Sequence, residues 1–206
     1  MTNYLVPNDN YLKKPVIAIR HDEKELIKKT IELWGNQAKL SKSHKSVDFI
    51  VERDKLLVEW LFNTGMRISD ALAIKFRDVD MKKEEITFVV KKRSKKHIYL
   101  HTIPLNKSIL FEVQRFKERF IHKDEDRIFK ITRSTVDSNL KKYCELAGLP
   151  KYSAHKYRHG CAMNDLEQGL PDFVTSYRLA HSSTAITNST YRRMSSDIER
   201  KFREGK

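Results

Sequence analysis

The chain has 206 residues, of which 39% are hydrophobic and 33% are charged, a balance typical of a globular domain with a heavily charged surface. No apolar run approaches the roughly 18 residues that a membrane span needs, and the N-terminal sequence lacks the layout of a signal peptide, so we expect a cytoplasmic protein without a membrane partner. Lys and Arg total 41 against 27 Asp and Glu, and the net charge of +14 favours nucleic acid as a partner, with a merely lysine-rich surface as the alternative.

Helical periodicity dominates the chain after a polar lead, 1–20, which contains two prolines and is predicted to be an N-terminal arm. Helices are predicted at 21–34, 46–63, 67–76, 106–121, 132–147, 155–167 and 171–180. Asp22 is a plausible cap for the first helix, and a basic polar loop is expected at 35–45. Gly65 is expected to end the second helix.

The periodicity changes in the middle of the chain. Apolar residues alternate in ITFVV, residues 86–90, and recur in IYLHTIP, residues 98–104, on either side of the basic sequence KKRSKKH. This pattern predicts a β-hairpin with a basic tip. The fold class is therefore α+β, mostly helical, with one small antiparallel hairpin or sheet.

The two cysteines, Cys144 and Cys161, match neither a metal-ligand spacing nor a disulfide framework. We expect both to be buried thiols in a reducing cytosol. No metal site is predicted.

The sequence SAHKYRHG, residues 153–160, crowds together His155, Lys156, Arg158 and His159. Ser153 is a candidate N-cap, which places His155 in the first helical turn and on the same face as Arg158. A histidine and a guanidinium beside the free amides of a helix N-terminus form a good phosphate site. A surface helix with ordinary basic residues is the alternative.

A second arginine follows the glycine turn in NTGMRISDAL, residues 63–72. Arg67 lies at the start of a predicted helix, where the helix dipole disfavours a cation. An anion bound between the side chain and the helix end would relieve this conflict. A local salt bridge to Asp70, three residues later, is the alternative.

The basic tip of the hairpin is the third candidate site. Its cations are Lys91, Lys92, Arg93, Lys95 and Lys96. A charged turn can simply protect the edge of a sheet. One lysine on such a turn can instead reach into a DNA groove and donate a proton.

The sequence RLAHSSTAITNSTYRR, residues 178–193, contains the fourth candidate site. His181 follows a short apolar helix, and Tyr191 is flanked by Arg192 and Arg193. A tyrosine beside two arginines in a polar segment is not expected in the core. It is either an ordinary surface residue or a reactive one.

In this order the four motifs resemble the catalytic domain of tyrosine recombinases, the phage integrase family. Typical members carry a TGLR-(I/L)-S-E-like box, a lysine on a β-hairpin, an HxLRH box, an LGH box and a nucleophilic tyrosine. The resemblance covers roughly residues 20–200 and implies a catalytic domain at 21–206. The usual N-terminal helical domain, which embraces DNA from the other side, is absent from the chain, so we expect a fragment or a minimal relative.

The resemblance also assigns roles to individual residues. It implies that Arg67 and Arg158 clamp the scissile phosphate, that Lys92 is the hairpin lysine, with Lys91 and Lys95 as alternatives, and that Tyr191 is the nucleophile. The two histidine-box residues are His155 and His181, and Asp70 and His159 are supporting residues. Further DNA contacts are expected from Lys91, Arg93, Lys95, Lys96, Lys156, Arg192 and Arg193.

The sequence departs from the family pattern in two places within these motifs. Ala180 replaces the glycine of the LGH box. His181 and Tyr191 are ten residues apart where nine is usual. The extra residue is expected to change the local geometry around the nucleophile.

The implied function is that of a site-specific recombinase or integrase, an enzyme that breaks and rejoins DNA through a 3′-phosphotyrosyl link without metal, ATP or other cofactor. Its implied partners are double-stranded DNA and further copies of the chain, as a dimer or tetramer, in a prokaryotic, viral or plasmid-encoded system. The alternatives are topoisomerase IB-like relaxation of DNA, a non-catalytic DNA-binding protein derived from a truncated integrase, and a basic RNA-binding domain.

Overall fold

The structure is a computed structural model that describes residues 18–41, 43–90, 99–121 and 123–181. Its helices are α1 (His21–Ala38), α2 (His44–Thr64), α3 (Ile68–Ala71), α4 (Lys107–Phe120), α5 (Arg133–Leu146), α6 (Ala154–Glu167) and α7 (Asp172–Arg178). Its strands are β1 (Val79–Asp80), β2 (Glu85–Val89) and β3 (Leu100–Pro104). The predicted class, mostly helical with one small antiparallel sheet, is confirmed.

The sheet contains the predicted hairpin and one additional strand. β2 pairs with β3 antiparallel, with Ile86 opposite Ile103. β1 pairs with the other edge of β2, so the order is β1-β2-β3. A two-residue strand offers too little alternation to be recognised from sequence, which explains why β1 was not predicted.

Helix α2 forms the centre of the helical part and lies against α1, α4 and α6. Trp60 and Leu61 are completely buried, and the Trp60 ring meets Phe129 edge-on at a centroid distance of 5.8 Å. Each buried side chain of this size contributes about 1.5–3 kcal/mol through removal of apolar surface from water. The C-terminal end of α2 is therefore fixed by the main core.

The first helix is longer than the sequence suggested. α1 continues to Ala38, so the predicted loop at 35–45 begins later, and α2 already begins at His44. Gly35 explains the difference, because a Cβ at this position would lie 2.3 Å from Cγ2 of Val51. The glycine permits close packing of α1 on α2 instead of ending α1. At the other end the N-cap is Arg20, and the predicted cap Asp22 lies within the first turn.

The predicted helix at 67–76 is wrong over most of its length. Only Ile68–Ala71 is helical, and a 3₁₀ turn follows at Phe76–Asp78. Lys75 forms an antiparallel bridge with Arg127, the carbonyl of Ile74 accepts a hydrogen bond from the amide of Ile128, and the amide of Phe76 donates to Asp126. These non-local bonds replace the i to i−4 bonds that a longer helix would need.

Both cysteines are buried and unpaired with each other, as predicted. Within the described ranges, none of the helices combines the length and the hydropathy that crossing a bilayer demands.

Candidate active site

The turn after α2 places the first arginine. Gly65 is the C-cap of α2 and has a φ of 59°, a left-handed conformation that glycine adopts without steric cost. A Cβ at Gly65 would also lie 2.4 Å from Cδ2 of Leu179. Two residues later, Arg67 is the N-cap of α3, and its carbonyl accepts hydrogen bonds from the amides of Asp70 and Ala71.

The second arginine projects from the first turns of α6 and is almost completely buried, with 5% of its surface exposed. Nη1 of Arg158 donates to the carbonyl oxygen of Gly65 at 2.6 Å, and Nη2 donates to the carbonyl oxygen of Leu179 at 2.5 Å. Charge-assisted hydrogen bonds are stronger than neutral ones. The guanidinium is therefore held between the end of α2 and the end of α7.

The end of α7 places the second histidine. The amide of His181 donates to the carbonyl of Ser176 at 3.1 Å, and the amide of Ala180 donates to the carbonyl of Tyr177 at 2.7 Å. This is the Schellman pattern of helix termination, in which the residue after the C-cap is left-handed. Ala180 occupies that position with a φ of 48°. The motif usually has glycine there, so Ala180 carries backbone strain.

These elements surround a cleft of about 990 Å³. It is lined by Met66, Arg67, Ile68, Ser69, Val90, Arg133, Asp137, Lys141, Ser153, Ala154, His155, Arg158, Ala180 and His181. Four of the predicted catalytic residues, Arg67, His155, Arg158 and His181, therefore meet at one place. Although Ser153 is the N-cap of α6, as predicted, its side chain makes no capping hydrogen bond.

Burial and nearby positive charge determine the protonation of His159 and His181. Burial lowers the pKa of His181 to about 4, and the nearby charges of Arg158 and Arg67 act in the same direction. Burial likewise lowers the pKa of His159 to about 4, with smaller contributions from His155 and Lys156. His159 and His181 are therefore neutral at pH 7. The rings of His155 and His159 lie edge to face, with centroids 4.4 Å apart.

The local salt bridge considered for Arg67 does not form. Asp70 is buried, with 2% of its surface exposed, and its Oδ1 accepts a hydrogen bond from Oγ of Ser69 at 3.3 Å. Among the residues that the structure describes, the Arg67 side chain makes no hydrogen bond or ion pair. The guanidinium of Arg67 is thus available to an anion in the cleft. The supporting role of Asp70 stays a prediction.

Several predicted site residues lie outside the described ranges. They are Lys91, Lys92, Arg93, Lys95, Lys96, Tyr191, Arg192 and Arg193. Val90, the residue before the basic sequence, lines the cleft and donates its amide to the carbonyl of Tyr99 at 2.9 Å. Lys156 and His159 are described but do not line the cleft.

Helix α5 contributes three lining residues that the sequence interpretation missed. Arg133, Asp137 and Lys141 line the cleft. They follow one another at intervals of four residues and therefore share one face of the helix. This spacing was the available signal, but charges at such intervals are common on solvated helices and point to no particular site.

The site offers cationic and hydrogen-bonding groups rather than metal ligands. Across 18–41, 43–90, 99–121 and 123–181, no group of three His, Cys, Asp or Glu side chains is placed to hold a metal ion. Two arginines and two histidines around one cleft suit a phosphate group.

The fold and the cleft thus define an α+β domain with a cationic cleft whose side chains suit a phosphate group. The model of the phage integrase family matches residues 25–197, and the chain belongs to this family. The predicted resemblance is confirmed.

Individual relatives agree with this assignment. Tyrosine recombinase XerA of Pyrococcus horikoshii is 31% identical over 143 residues, which are 66% of this chain and 48% of XerA. The chain spans about half the length of the curated relatives it matches.

Two solved structures show the same fold. XerH site-specific recombinase, bound to palindromic difH substrate in a post-cleavage complex, has a TM-score of 0.64 at 20% identity, over 91% of this chain and 52% of XerH. The catalytic domain of bacteriophage HP1 integrase has a TM-score of 0.59 at 18% identity, over 86% of this chain and 88% of that domain. The predicted recombinase catalytic-domain fold is confirmed.

Proposed function

We propose that this chain is the catalytic part of a site-specific DNA recombinase that breaks and rejoins strands through a phosphotyrosyl intermediate. The observation that carries the proposal is the convergence of Arg67, His155, Arg158 and His181 on one cleft from three separate segments, the start of α3, α6 and the end of α7. Membership of the phage integrase family and the names of the relatives support it.

The arginines supply the electrostatic part of the reaction. A phosphodiester attacked by an oxygen nucleophile gains negative charge on its non-bridging oxygens. Arg158 is already oriented by the carbonyls of Gly65 and Leu179, so little reorganisation is needed when this charge develops. Removing one such preorganised donor typically costs about 100-fold or more in rate.

The covalent step needs a nucleophile, a base and an acid. In our assignment the oxygen of Tyr191 forms the bond to phosphorus while the bond to the 5′ oxygen breaks. The phenolic proton goes to His155, because a free tyrosine has a pKa of about 10 and needs a base at pH 7. Lys92 gives a proton to the departing 5′ oxygen. The reverse step rejoins the strand and requires neither metal nor ATP.

His181 has a different task from the arginines. Because burial and the adjacent arginines lower its pKa to about 4, its imidazole is neutral at pH 7 and has one N–H donor and one acceptor nitrogen. We assign it to a hydrogen bond with a phosphate oxygen or with the nucleophile. A neutral donor orients without adding another positive charge beside Arg158.

Double-stranded DNA is the proposed substrate. The net charge of +14 supplies a long-range attraction, and Arg133 and Lys141 extend the cationic lining of the cleft along α5. The related XerH structure contains a palindromic difH substrate. Recombination joins strands from two duplexes, so the proposal includes self-association of the chain on DNA.

Covalent trapping tests the proposal. The protein is incubated without metal with nicked duplexes that carry candidate attachment sequences, and adducts that resist SDS are counted. We expect an adduct that is lost in Tyr191→Phe and kept in Tyr177→Phe, a matched change at an exposed tyrosine of α7.

Two other outcomes would contradict the proposal. Tight, salt-sensitive DNA binding without any adduct would assign the chain to non-catalytic DNA binding. Relaxation of supercoiled plasmid that depends on Tyr191, without strand exchange between duplexes, would assign it to topoisomerase-like activity.

A further inference from the structure

An ion pair between a buried carboxylate and a partly exposed arginine joins α6 to α7. Nη1 of Arg178 contacts Oδ1 of Asp165 at 2.6 Å, and Asp165 is only 1% exposed. Asp165 is two turns along α6 from Arg158, and Arg178 is the last residue of α7. The assigned catalytic roles use neither residue.

The ion pair fixes the segment that orients two site residues. Leu179 follows Arg178, and its carbonyl accepts the hydrogen bond from Nη2 of Arg158. Ala180 and His181 then complete the Schellman motif on the last turn of α7. A shift of this turn would therefore move an acceptor of Arg158 and the backbone of His181 together.

Few other polar contacts hold α7. In the described parts of the chain, Asp165–Arg178 is the one ion pair that α7 makes. The outer face of α7 is solvent-exposed, with Phe173 at 65% and Tyr177 at 58%, although the Tyr177 ring lies 4.6 Å from that of His101 in β3. On the inner face, Leu179 joins a small apolar cluster with residues of α6.

We propose that Asp165 and Arg178 are positioning residues, which set the last turn of α7 so that Arg158 and His181 face the same phosphate. This inference rests on the proposed function for its catalytic consequence, but the geometry it describes can be measured without DNA. The ion pair acts through the Leu179 carbonyl and the Schellman motif and does not touch the substrate.

The burial of Asp165 supports this role. Burial raises the pKa of Asp165 to about 6, while the charge of Arg178 acts in the opposite direction. Oδ2 of Asp165 has no hydrogen-bond partner. A buried carboxylate with a partner on only one of its oxygens destabilises the folded state unless that partner is held in place. The orientation of Arg178, and with it the end of α7, is therefore tightly specified.

The first readout is the His181 imidazole, followed by NMR in the free protein and assigned by its loss in His181→Gln. The test variants are Asp165→Asn, Arg178→Ala and Arg178→Lys. The matched control is Glu59→Gln, because Glu59 is also a buried carboxylate and is paired with Lys24 and Lys28. We expect Asp165→Asn and Arg178→Ala to raise the pKa of His181 from about 4 toward its ordinary value. Arg178→Lys should keep most of the wild-type value, and Glu59→Gln should not change it.

The second readout is single-turnover cleavage of a nicked duplex. A displacement of catalytic groups by about 1 Å can cost on the order of 100-fold, so we expect at least a tenfold loss in Asp165→Asn with DNA affinity changed less than about threefold. An unchanged His181 titration in folded Asp165→Asn or Arg178→Ala would overturn the proposal, as would an equal change in Glu59→Gln. If the wild type does not cleave, the proposed function fails and the NMR result alone decides the positioning role.

Discussion

Arg158 donates a hydrogen bond to the carbonyl oxygen of Gly65, 93 residues earlier in the chain and two residues before Arg67. The two arginines assigned to the phosphate are therefore joined through a single glycine turn. The orientation of one depends on the backbone conformation that places the other.

Gly65→Ala should damage both stability and cleavage. The new Cβ would meet Cδ2 of Leu179 at 2.4 Å at a φ of 59°, and strain combined with overpacking is expected to cost about 2–4 kcal/mol in the free energy of unfolding. Gly148→Ala is the matched control, because its φ is 68° and nothing lies within 4 Å of the added Cβ. It should cost only about 1 kcal/mol and leave cleavage unchanged. Urea unfolding and adduct formation measure both effects, and equal losses in the two variants would contradict the interpretation.

Lysine substitutions should separate the roles of the two arginines. Arg158→Lys cannot donate to both Gly65 and Leu179 with the same geometry, so it should lower the midpoint of thermal unfolding as well as cleavage. Arg67→Lys should lower cleavage by about 100-fold with no loss of thermal stability, because no described residue depends on that guanidinium. Differential scanning calorimetry and single-turnover cleavage provide the comparison. A destabilised Arg67→Lys would show that the side chain has a structural role.

Ala180→Gly should be neutral to stabilising. The left-handed φ of 48° costs a non-glycine residue about 1 kcal/mol, and glycine recovers this at the expense of a more flexible unfolded chain. Ala180→Val should be destabilising by more than 1 kcal/mol, because a β-branched residue is poorly tolerated there. Ala162→Gly, in the buried interior of α6, is the contrasting control and should lose about 1 kcal/mol. Chemical unfolding of the three variants measures these differences, and a clear loss of stability in Ala180→Gly would refute the strain argument.

The stability of the protein should fall as the pH decreases from 6.5 toward 4. In the unfolded chain, His159 and His181 become protonated near their ordinary pKa of 6.5. In the folded protein both have a pKa of about 4, so they stay neutral over most of this pH window. The unfolded state then binds more protons, and the free energy of unfolding decreases. Asp165 acts in the opposite sense between its ordinary pKa of 3.8 and its raised pKa of about 6.

The histidine contribution can be isolated by substitution. His181→Gln and His159→Gln should each flatten the decline of the unfolding temperature across this pH window. Curves parallel to the wild type would show that these groups do not titrate as their burial implies.

Local sequence signals predicted residues that line the cleft better than they predicted the elements that carry them. The motifs HKYRH and TGMR pointed to His155, Arg158 and Arg67, because the residue type alone shows which side chains can bind a phosphate group. The short α3 was overestimated because the bridge between Lys75 and Arg127 is a non-local interaction that periodicity does not report.

Some features of the site could not be read from local sequence at all. Asp165 and Arg178 are 13 residues apart on different helices, and nothing in their spacing indicates an ion pair. The left-handed φ of Ala180 was also hidden, because alanine at that position predicts continued helix. Only the packing of α7 on α6 imposes both features.

The attachment of the site to α2 on one side and to α7 on the other implies two levels of protection against hydrogen exchange. Amides near Trp60 and Leu61 in α2 should exchange only through global unfolding, because they belong to the main core. Those of the seven-residue α7 lie at the periphery and should exchange through a smaller, local opening. Such an opening would release His181 and one acceptor of Arg158 while the Gly65 turn stays folded. In this case the groups around the cleft would separate and return to their places while the rest of the domain stays folded.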